Sequence, residues 1–281
     1  MSRHTSLHIG GPADYFVRVR SEDDLLGAVR VAREAELPIF TLGGGTNLLV
    51  ADKGIRGVVL ANGHSDVSVH GTVVDAASGT PLASVAAAAA RSGIVGLEWM
   101  ATVPGTVGGA VHGNAGAFGS DTASALLDAR LLDLNGDTWT ASRDELAYSY
   151  RTSALQGTPT VVLRARFHGD PGDRADAVRR IKEIANERIA KQPLAQPNTG
   201  SIFRSPPGDH AGRLIEAAGL KGARIGDAMV SEKHANFIVN VGQARATDVR
   251  ALMHRCQAEV RSKFGVALVA EVELVGEWDP E

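Results

Sequence analysis

The sequence predicts an α+β protein built from two or three sub-domains, and three observations carry the prediction. The chain has 281 residues, enough for more than one hydrophobic core. Strand-like period-two stretches and helix-like period-3.6 stretches both occur along it. Turn-rich breaks at Asn62-Gly63 and Asp170 to Asp173 divide it into spans 1–62, 63–169 and 170–265, with the terminal strand 266–281 a candidate to return to the first.

The first span reads β-α-β. Tyr15, Val17 and Val19 alternate with polar residues. Ser21 followed by Glu22, Asp23 and Asp24 opens a helix with a capping serine and acids in its first turn. Leu25, Leu26, Val29 and Ala32 form its inner stripe, and Pro38 ends it. Short strands are expected at Ile39 to Leu42 and Gly57 to Leu60. In the second span, strands fall near Val67 to Val69 and Val73 to Ala76. Thr80-Pro81 starts an alanine-rich helix that stops at Gly93. Further strands fall near Ala129 to Leu134 and Thr160 to Phe167. The third span has a charged helix from Arg174 to Lys191 and a proline-bearing loop from Gln192 to Gly200. A helix at Ala211 to Ala218, a strand at Phe237 to Val241 and an amphipathic helix from Thr247 to Phe264, closed by Gly265, follow. Val266 to Val275 alternates with period two and reads as one long strand.

Composition excludes several classes. Apolar residues make up 44% and the formal charge is -3, so no basic field points to nucleic acid or an anionic membrane. One cysteine, Cys256, supports neither an internal disulfide nor a cysteine zinc site, and its helical spacing with Leu252, Met253 and Val260 makes it a core residue. The nine histidines show no metal spacing, so no metal is expected. Met1 to Gly11 lacks a signal-type apolar run and no stretch is long enough to span a bilayer, which favours the cytoplasm. No obligatory protein partner is evident.

Two glycine clusters carry the functional signal. Gly43-Gly44-Gly45-Thr46-Asn47 follows a strand directly, and Pro104-Gly105-Thr106-Val107-Gly108-Gly109-Ala110 leads to Gly113-Asn114-Ala115-Gly116. Glycines let backbone approach a ligand closely, and successive N–H groups form nests for phosphate oxygens. A dinucleotide fingerprint fails because Leu48 stands where the third glycine belongs, and neither cluster ends in Gly-Lys-Ser/Thr. On composition alone the clusters serve either phosphate binding or tight turns.

The two clusters, taken with motifs along nearly the whole chain, resemble the UDP-N-acetylenolpyruvoylglucosamine reductase family. The matching stretches are His4 to Ala13 (without the family's asparagine), Leu42 to Leu49, Gly96-Leu97-Glu98, Pro104 to Ala110 and Asn114 to Gly119. Tyr148-Ser149-Tyr150-Arg151, Lys191-Gln192-Pro193, Gly200-Ser201-Ile202-Phe203 and Ala270-Glu271-Val272 complete the series. The resemblance implies an FAD-binding fold of the vanillyl-alcohol-oxidase and p-cresol-methylhydroxylase type, with two α+β sub-domains around non-covalent FAD and a C-terminal α+β substrate-binding domain. Gly43, Gly44, Gly45, Thr46, Asn47, Leu48, Pro104, Gly105, Thr106, Gly108, Gly109, Asn114, Ala115 and Gly116 would hold the cofactor. The stretch 200–240 contains no tyrosine, as in the family's short form.

The implied reaction is hydride transfer from NADPH through FAD to the enolpyruvyl group of a UDP-sugar substrate. It demands charge stabilisation at a carboxylate and a proton for carbon. Arg151 fits the first demand, although alone it reads as a surface arginine beside Tyr148 and Tyr150. Ser201 fits the second, although alone it is a turn serine. Glu271 shares a strand face with Val269 and Val275, where burial would keep it protonated as a donor; the plainer reading is an edge glutamate facing water. The family commonly has a basic residue where Glu273 stands. Tyr150, Lys191 and His234 are implied substrate contacts, with Lys191 equally readable as a solvated helix residue. Two other functions compete: an alcohol or sugar oxidase of the same fold, and a non-catalytic nucleotide-binding module. The first glycine loop lacks the histidine that some oxidases use for covalent flavin, and a mere module has no use for Arg151, Ser201 and Glu271 together.

Overall fold

The computed structural model describes residues 1–280 and divides into two compact units. The larger comprises Tyr15–Gly44 and Gly57–Arg188; the other comprises Met1–Asp14, Gly45–Arg56 and Ile189–Glu281.

In the larger unit, the helix Glu22–Glu34 begins at a capping box. The Asp24 N–H donates to Ser21 Oγ at 3.0 Å and the Ser21 N–H to Asp24 Oδ2 at 3.2 Å. It ends where Glu36 takes φ +54° and the Leu37 N–H returns to Ala32 O at 2.9 Å, ahead of Pro38. Ile39–Leu42 pairs in parallel with Ile55–Asn62, which lies between it and Ala13–Val19. The inner helix residues Leu25 and Val29 pack with Leu60, Leu132, Val161 and Leu163, so the opening β-α-β shares its core with much later strands.

The second layer is a five-stranded antiparallel sheet. Its order is Thr138–Ser142, Leu126–Leu132, Val161–His168, Val73–Ala77, Val67–His70. Val74, Ala76 and Phe167 pack with Leu82, Val85, Ala86 and Ala89 of the helix Leu82–Arg91, whose alanines permit close approach. The alternate positions carry charge: Arg164 pairs with Asp75 at 2.7 Å, and Arg166 with Asp128. Alternation therefore gives one apolar and one charged face.

The other unit is built around the helix Ala246–Phe264. Val249, Leu252, Met253, Cys256 and Val260 face inward against Leu214, Ile215, Val230 and Ile238. Burial pushes the Cys256 thiol up to about 12, as befits a core residue. Asp52 caps the helix from far away in sequence, accepting from the Ala246 N–H at 2.8 Å and the Thr247 N–H at 3.1 Å. Gly265, at φ +70°, ends it.

Three backbone segments of this unit cross at glycines. A Cβ at Gly11 would overlap Asp52 O, one at Gly54 would overlap Pro12 O, and one at Gly276 would overlap Gly54 O. Only hydrogen in place of a side chain allows these crossings. They lock residues 10–12 and 276–277 onto the 51–54 turn, with the Glu277 N–H donating to Gly54 O at 2.9 Å.

The structure departs from the sequence reading in four places. The second glycine cluster is not all loop: Val107–Gly113 is helical, begun by extended Thr106 and ended by left-handed Asn114. The expected turn at Asp170 supplies Asp170–Pro171, which pairs with Ile94–Val95. Thr138–Ser142 and the short strands Arg224–Ile225 and Ala228–Val230 lack a strong alternating signal and were not expected. The long terminal strand is broken. Ala270 bridges Phe203, and only Glu273–Val275 is a strand, parallel to Leu48–Val50. Two different partners serve the two ends of one alternating stretch, so the strand cannot stay straight.

Candidate active site

In the larger unit the predicted cofactor residues Gly43, Gly105, Thr106 and Gly108 meet in a seat at the start of the alanine-rich helix. The Val107 N–H donates to Thr80 O at 2.9 Å, the Gly108 N–H to Ser78 O at 2.7 Å, and the Leu82 N–H to Gly105 O at 3.2 Å. Gly43 reaches this seat: a Cβ built on it would stand 2.5 Å from Thr106 Oγ1. Thr106 Oγ1 is itself buried without a hydrogen-bond partner. Gly43, Gly44 and Gly109 are exposed beside it. Backbone bare of side chains around an orphaned hydroxyl fits a phosphate-bearing cofactor, which supplies acceptor oxygens and needs close backbone approach.

Five hydrogen bonds stitch the turn bearing Tyr150 and Arg151 to the same glycine-rich stretch. Tyr148 Oη donates to Val111 O at 3.0 Å, Asn114 Nδ2 to Ser149 O at 2.9 Å and Ser153 Oγ to His112 O at 2.6 Å. Arg151 Nη2 donates to Gly116 O at 2.8 Å and Nη1 to Asn114 O at 3.3 Å. Burial, with Asp121 adding a smaller repulsion, raises the Tyr148 phenol far above its ordinary value, so it remains a donor across the working pH range. The guanidinium of Arg151 also lies 5.1 Å from the centre of the exposed Tyr150 ring. Non-glycine residues at positive φ concentrate here: Asn114, Phe118, Ala147 and Arg151. Such backbone is costly and persists where surrounding bonds enforce it, as those above do at Asn114 and Arg151.

In the other unit, Asn47, Ser201 and Glu271 come together through backbone. The Glu271 N–H donates to Ile202 O at 2.8 Å, directly after Ser201. Asn47 Nδ2 donates to Glu271 O at 3.1 Å, and the Glu273 N–H to Asn47 O at 3.0 Å. Gly45, at φ +63°, packs on His4 and accepts the Ser6 N–H at 3.0 Å, which gives the N-terminal motif a task beneath the first glycine loop. Glu271 is half-buried, like Ser201.

Two asparagines that the sequence reading did not single out hold Ser201 in place. Asn198 Nδ2 donates to Gln196 O at 2.7 Å and Pro193 O at 3.2 Å, while its Oδ1 accepts the Gly200 N–H at 2.9 Å. Asn236 accepts the Phe203 N–H at 3.0 Å and donates to Phe203 O at 2.8 Å, replacing a neighbouring strand. The signal for Asn198 was present in Pro197-Asn198-Thr199-Gly200, an Asx-type turn sequence. Lys191 ends the helix Arg174–Lys191 and is exposed. His234 lies on a turn, half-buried edge-on to Phe237 at 4.8 Å, and its Nδ1 accepts the Asn236 N–H at 3.2 Å. Burial lowers its pKa.

The seat and the fold define an FAD-binding protein: residues 13–142 match the FAD binding domain, and residues 192–275 match the UDP-N-acetylenolpyruvoylglucosamine reductase, C-terminal domain. UDP-N-acetylenolpyruvoylglucosamine reductase 2 of Symbiobacterium thermophilum is 46% identical over 100% of this chain and 92% of its own. The corresponding reductase of Caldanaerobacter subterraneus subsp. tengcongensis is 44% identical over 99% and 92%. The crystal structure of the Thermus caldophilus reductase superposes with a TM-score of 0.84 at 35% identity, covering 97% of this chain and 96% of that one. The chain belongs to the UDP-N-acetylenolpyruvoylglucosamine reductase family. No helix among the described residues is long and apolar enough to cross a membrane.

Proposed function

We propose that this protein reduces UDP-N-acetylglucosamine enolpyruvate to UDP-N-acetylmuramate with NADPH and FAD, in peptidoglycan precursor synthesis in the cytoplasm. The full-length likeness to curated reductases carries the reading, and the bare glycine seat around Thr106 supports its cofactor. The chemistry FAD supplies when bound is hydride relay, from NADPH to the methylene carbon of the enolpyruvyl group.

The chain's residues meet the remaining demands. Gly43, Gly44, Gly45, Thr46, Asn47 and Leu48 from the first loop, with Pro104, Gly105, Thr106, Gly108, Gly109, Asn114, Ala115 and Gly116 from the second, would hold the cofactor. Arg151 stabilises negative charge on the substrate carboxylate, its plane set by the Asn114 and Gly116 carbonyls. Ser201 delivers a proton to carbon, its position set by the Asn198 turn. Glu271 donates to the developing oxyanion from the segment bonded to Ile202. Tyr150, Lys191 and His234 contact the sugar nucleotide.

Anaerobic half-reactions test the whole. NADPH bleaches the flavin absorbance and the enolpyruvyl sugar nucleotide restores it. In Ser201→Ala the bleaching rate is near normal and the recovery falls by orders of magnitude, because only the second half needs a proton on carbon. Equal slowing of both halves would mean that Ser201 serves folding or cofactor placement. Bleached protein that recovers only with oxygen would favour an oxidase of the same fold.

A further inference from the structure

Arg204 stands out among the half-buried arginines. Its Nε is buried without a hydrogen-bond partner, and its guanidinium makes no ion pair among the described residues. Arg164, comparably half-buried, is held by Asp75 and Asp66. Half-burying a cation without a counter-charge costs stability, so the position asks for an anion that the chain does not supply.

The backbone shows which way Arg204 faces. Phe203 and Ala270 form an antiparallel bridge, flanked by the Glu271 N–H to Ile202 O bond at 2.8 Å and the Arg204 N–H to Val269 O bond at 2.9 Å. Side chains alternate across such a ladder, so Phe203 and Ala270 share one face while Arg204, Val269 and Glu271 share the other. Phe203 and Ala270 pack in the core; on the second face Ile202, opposite Glu271, is buried as well, while Val269, opposite Arg204, is 58% exposed. Arg204 and Glu271 are diagonal neighbours there, a spacing of roughly 7–8 Å between Cα atoms. A permanent cation thus shares a face with a predicted catalytic residue, and its guanidinium can grip an oxyanion there.

We propose that Arg204 is a binding residue for an oxyanion of the sugar nucleotide, either its carboxylate or its diphosphate, on the face it shares with Glu271. This rests on the function proposed above. The test is calorimetric titration of the FAD-loaded protein, wild type, Arg204→Met and Arg204→Lys, with UDP-N-acetylglucosamine enolpyruvate, UDP and NADP+. Arg204→Met weakens the enolpyruvyl sugar nucleotide about tenfold to a hundredfold, the scale of a lost charge-assisted hydrogen bond, and Arg204→Lys recovers part of it. Loss of UDP binding as well assigns the diphosphate; unchanged UDP binding assigns the carboxylate. The melting temperature of Arg204→Met stays level or rises, because an unpaired buried donor is removed, whereas a residue retained for stability would lower it. Affinity within twofold of wild type in Arg204→Met, loss confined to NADP+, or equal loss in both variants with a lowered melting temperature overturns the assignment. Failure of the wild-type protein to bind the enolpyruvyl sugar nucleotide instead overturns the proposed function.

Discussion

Replacing Gly43 by alanine isolates the contact between the two glycine clusters. The new Cβ would stand 2.5 Å from Thr106 Oγ1, about 0.9 Å short of the 3.4 Å where ordinary contact begins. Thr106 Cβ and Cγ2 are already at comfortable distances of 3.8 and 3.9 Å, so turning the threonine off its rotamer relieves the clash. That costs about 0.5–1.5 kcal/mol. Gly43 is not at positive φ, and alanine recovers about 0.4–1 kcal/mol by narrowing the unfolded ensemble. The protein without cofactor therefore melts within a few degrees of wild type. Cofactor affinity falls further, because the methyl group turns away the Thr106 hydroxyl. Loss of one charge-assisted hydrogen bond is worth about 1.5–3 kcal/mol, at least a tenfold rise in Kd. Thr106→Ala removes both the clash and the donor, so adding Gly43→Ala to it costs little more. Flavin fluorescence titration of the two single variants and the double variant measures this, with an expected coupling of about 1 kcal/mol or more. Additivity within about 0.5 kcal/mol, or wild-type affinity in Gly43→Ala, would refute the idea that the two clusters meet on the cofactor phosphates.

Other outcomes follow from the same geometry. Glu271→Gln, which keeps a donor, slows flavin reoxidation less than Glu271→Ala, whose cost is about 3 kcal/mol in stopped-flow recovery of the absorbance; equal damage with intact flavin binding would make an ionised Glu271 the better account. Asn198→Ala slows reoxidation while leaving bleaching by NADPH intact, since only the turn before Ser201 is loosened; equal effects on both halves would remove its positioning role. Burial holds the His234 pKa below the ordinary 6.5. The unfolded chain therefore takes up the proton first, and stability is lost as pH falls below about 6.5 towards the lowered folded value. His234→Gln flattens that part of the stability profile, measured by urea melts; an unchanged slope would show that other groups dominate. Cys256 stays unreactive to thiol reagents in the folded protein, because the group is both buried and pushed to about 12; labelling faster than global unfolding would contradict its core position.

Sequence legibility tracked the reach of each interaction. The helix Glu22–Glu34 was readable because its cap, acids, apolar stripe and stop lie within a few residues of one another. The helix Ala246–Phe264 was readable for the same reason except at its start, where Asp52 caps it from far away. The glycine clusters announced close backbone approach, but the sequence could not say that Gly43 approaches Thr106 or that Val107–Gly113 is helical. Period two in Val266 to Val275 was real, yet its two ends bond to Phe203 and to Leu48–Val50, which no local pattern encodes. Arg151 drew notice through its motif. Its anchoring by the carbonyls of Asn114 and Gly116 depends on a left-handed backbone that arginine rarely adopts.

The glycine crossing at residues 11, 54 and 276 bears on the order in which the protein is made. Every residue of the larger unit has been synthesised by residue 188, while the other unit must gather Met1–Asp14, Gly45–Arg56 and Ile189–Glu281. Until Glu271 and Glu273 emerge from the ribosome, Asn47 lacks both of the backbone partners that fix it. Until Gly276 arrives, the 51–54 turn lies uncovered on one side. The first glycine loop is thus translated early and set late, so a nascent chain can fold its sheet long before it can grip a dinucleotide.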